Sequence, residues 1–173
     1  MSIKRFFMKN VIIHLAILLS LSTISMASEA PNYKTWNSFN NDSISYLKEN
    51  FDNSEYYVGK PLKCLFDDLE IQIRRSDFYP AFFGDKKLRS AVFYFEASRV
   101  VSKAIYEKKI PALLKMHVFF EPVDKRIFDE YDLAVRGARN RKEVNDDSRW
   151  EMFDKGFLEN FIITKISVPD VVR

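Results

Sequence analysis

Residues 89–121 read RSAVFYFEASRVVSKAIYEKKIPALLKMHVFFE, and the fold turns on how this stretch is divided. Its two ends, 89–98 and 113–121, are rich in β-branched and aromatic side chains, a composition that suits a pleated, half-buried strand. In the second end, Leu114, Met116, Val118 and Phe120 share one parity and so line one face. Between the two strands, Val100, Val101, Ala104 and Ile105 fit a helical turn about as well as an extended arm. The charged turn and proline breaker at 107–111 favour an antiparallel hairpin, because a right-handed crossover to a parallel strand needs a longer helix.

Downstream, Asp124 stands where it would cap a helix whose Ile127, Phe128, Tyr131, Ala134, Val135 and Ala138 keep helical spacing. Residues 137–147, GARNRKEVNDD, read as a solvated helix end and loop. A helical turn at 150–155 closes on Gly156, and 157–168, FLENFIITKISV, reads as a long final strand. Upstream, Asn41, Asp42 or Ser43 caps a helix carrying Ile44, Leu47 and Phe51. Residues 52–60 form a turn region ending at Gly59. Pro61 then opens a second short helix with Leu62, Leu65, Phe66 and Leu69 on one face. Ile71 and Ile73 alternate with polar neighbours as in a short strand, and 76–87 reads as a loop. The order predicts an α+β fold, a mostly antiparallel sheet covered on one face by two to four helices.

The first 27 residues have the form of a cleavable export signal. Lys4, Arg5 and Lys9 precede an apolar run at 11–21 that is shorter than the roughly 20 residues a membrane span needs. Ser25 and Ala27 then offer a small-x-small cleavage site. The expected organisation is a signal peptide over 1–27, a flexible leader over 28–40 that docks through Trp36 or Phe39, and one domain over 41–173. Those three basic residues are the whole excess of 27 Lys and Arg over 24 Asp and Glu, so the exported chain is formally neutral. The isoelectric point near 8.9 belongs to the precursor and does not indicate a nucleic-acid partner. No membrane span is expected once the signal is removed. Cys64 is the one cysteine, which excludes an intramolecular disulfide and points to a bacterial periplasmic or cell-surface protein whose core suffices alone.

The chemistry-bearing inventory is sparse. His117 and Cys64 are the one histidine and the one cysteine after the signal, too few for a His/Cys metal site, and glycine-rich phosphate or dinucleotide patterns are absent. No cofactor and no metal are expected. Cys64, opposite the apolar stripe of its helix, could act as a nucleophile if His117 lay beside it. Glu96 and Glu121, near strand ends, could form a glycosidase-type pair, and Asp67, Asp68 and Glu70 cluster in the second helix. Arg136, Arg139, Arg141 and Lys142 could clamp an anion or, as the following acids suggest, complement a helix end. Asn41-Asp42-Ser43 is a glycosylation sequon that coincides with the helix cap. The aromatics Phe78, Tyr79, Phe82 and Phe83, with Tyr56 and Tyr57, are the candidate binding surface, since rigid aromatic side chains dominate binding hot spots. The leading expectation is an exported, non-catalytic binding module acting on a protein or glycan, for example an inhibitor or immunity-type protein. The alternative is a small envelope hydrolase using Cys64 with His117, or paired carboxylates.

Overall fold

Among the described residues four strands pair antiparallel in the order β1–β2–β3–β4: β1 Arg75–Pro80, β2 Lys87–Tyr94, β3 Lys115–Asp124 and β4 Ile163–Ser167. The computed structural model describes residues 33–80, 87–146 and 148–171, all within the unit Pro31–Arg173. The signal segment 1–27, the start of the leader, and Phe82 and Phe83 lie outside the described residues. No helix among the described residues is long and apolar enough to cross a membrane.

The α+β class follows from how the helices meet this sheet. Helix α1, Ser43–Phe51, is capped by Asp42, whose carboxylate accepts from the backbone N–H of Ile44 and Ser45. It buries Tyr46, Leu47 and Phe51. Helix α2, Leu62–Asp68, follows Pro61 and buries Leu62 and Leu65. Both pack with Ala91 and Phe93 of β2, Met116, Val118 and Phe120 of β3, and Ile163 and Ile166 of β4 in one large core. Tyr33, Trp36 and Phe39, in the stretch read as a leader, pack against that core, Trp36 and Phe39 each meeting the Tyr46 ring edge-on. The 52–61 segment runs beside β4, with Gly59 N–H donating to Ile163 O at 2.8 Å and Lys60 O accepting from Ile163 N–H at 2.9 Å. Gly59 sits at φ +79°, in the left-handed region where a side chain would be strained. The outer edge of β4 is thereby covered, which blunts edge-to-edge association.

Three expectations are corrected. Residues 99–112 are not a hairpin arm: α3, Ser98–Tyr106, and a 3₁₀ turn, Ile110–Ala112, stand between β2 and β3, which still pair antiparallel. The reason is packing on the second face of the sheet, where Val101 joins Val92, Tyr94 and Leu113 in a separate small cluster flanked by Ala104 and Ile110. Ile71 and Ile73 are not a strand, and β1 instead occupies 75–80, overlapping the expected loop at 76–87. The final strand is shorter than expected, because α5, Lys155–Leu158, takes up Phe157 and the fully buried Leu158 first.

A buried ion pair fastens β1 to the helical layer. Asp154 closes a π-helical turn, Trp150–Asp154, and is 0% exposed. Its carboxylate accepts from Ser76 Oγ on β1, from the Tyr131 hydroxyl on α4 (Lys125–Asn140), and from Arg149 Nε at 3.0 Å. Arg149 Nη2 also donates to the Ser76 carbonyl. Burial and the Asp154 charge hold the Tyr131 hydroxyl well above its ordinary pKa, so it remains a donor.

Candidate functional site

The residues that could have formed a catalytic pair are kept apart by the sheet. Cys64, on α2, is half-buried against the large core, on the face that carries Met116 and Val118. His117 lies between those two residues on β3 and so points to the opposite face, level with Val92 and Ser167. Its Nε2 is buried without a hydrogen-bond partner among the described residues. Burial and the neighbouring Lys115 charge lower its pKa, which favours the neutral imidazole. Glu96 Oε1 accepts from the backbone N–H of Leu114 at 2.7 Å, at the start of β3. Glu121 is seven residues further along the chain from Leu114, about 23 Å at roughly 3.3 Å per residue, well beyond the separation at which two carboxylates share a glycosidic bond.

Asp67, Asp68, Arg136, Arg139 and Arg141 are engaged within the fold. Asp67 pairs with Lys63, while Asp68 accepts from the hydroxyls of Tyr57 at 3.0 Å and Tyr33 at 3.4 Å. Arg136 pairs with Asp132, Arg139 with Asp146 and Arg141 with Glu143. Lys142 adopts φ 61° just beyond α4. Among the described residues no group of three or more His, Cys, Asp or Glu is placed to hold a metal ion.

The aromatic candidates divide by position. Tyr57 is fully buried, stacked on Phe51, and so belongs to the core rather than to an accessible surface. Tyr56 packs edge-on against Tyr57 with Lys60 Nζ over its ring. Phe78 points to the helix-covered face, in a cluster with Phe128, Tyr131 and Phe157. Tyr79, one residue later, points the other way and is 43% exposed.

On that second face the strands place Tyr79, Ser90, Phe119 and Lys165 in one row, each directly opposite the next. Phe119 is 37% exposed. The α3 cluster covers the neighbouring part of the face at Val92 and Tyr94 and stops short of this row. Two strand spacings separate Tyr79 from Phe119, about 10 Å, with the small Ser90 between them. The Tyr94 hydroxyl, whose pKa is raised first by burial, lies near the Tyr79 side chain. Immediately beyond the row all three strand pairings shift register, at Tyr79/Pro80, Leu88/Ser90 and Phe119/Phe120. Such irregularities bend strands and re-aim side chains, and they concentrate near functional sites. Sequence reasoning missed Phe119, although the signal was present: it has the parity of Lys115 and His117, so it is a large aromatic on the strand face opposite the core. No family model, curated protein or solved structure matches this chain.

Proposed function

We propose that this protein is an exported, non-catalytic binding module of the bacterial envelope that engages a partner protein through the open half of its sheet. The observation that carries the reading is the pair of exposed aromatics, Tyr79 and Phe119, held in one row on either side of Ser90. Rigid aromatic side chains are enriched at the cores and hot spots of protein interfaces. A glycan is less well served here, because sugar hydroxyls call for several converging polar groups, and the row offers Ser90 and Lys165 beside its two aromatics. Lys165, exposed at the end of the row, suits an acidic group on the rim of the partner. Export rests on the charged start, short apolar run and small-residue exit of the first 27 residues. An inhibitor or immunity-type role is the specific form proposed.

The test is photo-cross-linking from position 90 in intact cells, followed by affinity measurements on the captured partner. Tyr79→Ala and Phe119→Ala should each weaken binding by about 2 kcal/mol with an unchanged unfolding midpoint. Retained affinity in both variants, or capture of glycan alone, would overturn the reading.

A further inference from the structure

Three arginines from three separate elements converge on one small cleft beside α3. Arg75 of β1, Arg139 of α4 and Arg149 at the start of the π-helical turn line a cavity of about 220 Å³ together with Ser98, Ser102 and Asp146. Among the described residues the wall thus carries three guanidinium groups against one carboxylate. The other acidic partners, Asp77 and Asp154, bind Arg75 and Arg149 from outside the lining.

These arginines are held in place before any ligand arrives. Arg75 forks onto Asp77 through Nε at 2.9 Å and Nη2 at 3.2 Å, and its Nη1 donates to Ser102 Oγ at 2.9 Å. Arg149 uses Nε on Asp154 and Nη2 on the Ser76 carbonyl, which leaves Nη1 without an acceptor among the described residues. Among the described residues Arg139 engages Asp146 through Nη2, and its Nε and Nη1 have no acceptor there. The side chains of Arg75 and Arg149 are only 21% and 19% exposed. Partial burial strengthens their attraction for an anion, and their existing bonds reduce the ordering entropy that binding would cost.

We propose that this cleft binds a tetrahedral oxyanion, a phosphate or sulfate, either free or as the head group of a larger molecule. A planar carboxylate satisfies one guanidinium fork, whereas four tetrahedral oxygens meet donors arriving from several directions. The cavity is below the roughly 300 Å³ at which sites begin to enclose drug-sized ligands, so the head group alone would be enclosed. The inference is independent of the open sheet face.

The experiment is a titration of the exported protein with inorganic phosphate, sulfate, O-phosphoserine and acetate at matched ionic strength, followed by amide NMR shifts. Phosphate or sulfate should saturate with shifts centred on Arg75, Ser98, Ser102 and Arg139, and acetate should not. Arg139→Gln and Ser102→Ala should each weaken binding at least tenfold. Arg136→Gln, on the same helix but outside the cleft, should change it less than twofold. Tighter binding of O-phosphoserine than of phosphate identifies an esterified head group as the ligand, and the reverse identifies the free ion. Non-saturating shifts, equal binding of acetate, or affinity indifferent to Arg139→Gln and Ser102→Ala would overturn the proposal.

Discussion

Replacing Asp154 by alanine removes the common acceptor of Ser76, Tyr131 and Arg149, and leaves the Arg149 guanidinium charged in a site where its side chain is 19% exposed. At 3.0 Å the gross attraction is about 5 kcal/mol if the effective dielectric constant is roughly 20. Desolvation of the two charges offsets much of that in the intact protein. The same desolvation makes removal of one partner costly, because the other charge stays buried without compensation. The expected loss is about 3–5 kcal/mol, a large fraction of the roughly 5–15 kcal/mol that separates folded from unfolded domains. For a urea dependence of about 2 kcal/mol per molar, the midpoint falls by about 2 M.

Two further variants separate charge from packing. Asp154→Asn retains an acceptor of nearly the same shape and should cost less than alanine. Arg149→Met combined with Asp154→Leu removes both charges, and should be less destabilising than the two single changes added together by about 1–3 kcal/mol. The assay is urea unfolding followed by tryptophan fluorescence, since Trp150 opens the π-helical turn that ends at Asp154. A loss below about 1 kcal/mol for Asp154→Ala, or strict additivity in the double variant, would refute the view that this pair fastens β1 to the helices.

Other expectations are as direct. His117 has a folded-state pKa below its ordinary value of 6.5, so the unfolded chain takes up the proton first on acidification. Stability should therefore fall as pH drops through about 6.5 and level off below the folded pKa, and urea midpoints for His117→Gln should show a flatter profile across that window. Asp42→Ala removes the α1 cap and should cost about 1 kcal/mol, most of it recovered by Asp42→Ser, as thermal unfolding would show. Cys64→Ala should leave partner binding within about twofold, a shift under about 0.5 kcal/mol, because its half-buried thiol lies on the sheet face opposite Tyr79 and Phe119.

The parts of the fold that could be read from sequence are those whose stability is local. Helix α1 with a cap among residues 41–43, α2 behind Pro61, the strands around Phe93 and Val118, and the helix capped by Asp124 all announce themselves through periodicity and cap chemistry. Strand β1 does not, because RSDFYP has a single residue, Phe78, directed into the core by apolar character. Two of its polar side chains draw on long-range partners: Ser76 on Asp154, 78 positions away, and Arg75, beyond its local fork onto Asp77, on Ser102 of α3. No window of sequence contains both members of either pair. The same applies to the arginine cleft, whose walls come from β1, α3, α4 and the π-helical turn.

Residues 90–94, SAVFY, explain why one half of the second sheet face is covered and the other open. Ala91, Val92, Phe93 and Tyr94 are all buried, so alternation is lost and β2 is apolar on both faces. A strand buried on both faces needs a second covering layer, and that is the demand α3 meets with Val101. It is also why 99–112 forms a helix instead of extending the hairpin. At Ser90 the demand ends. From that residue outward the second face carries a hydroxyl on β2, and Tyr79 and Phe119 flank it without a covering element among the described residues. Were Ser90 large and apolar, the exposed patch would become continuous from Tyr79 to Phe119. The short polar side chain separates the two aromatic anchors, and Ser90→Leu should therefore hinder partner binding by placing bulk between them while leaving the buried core on the opposite face intact.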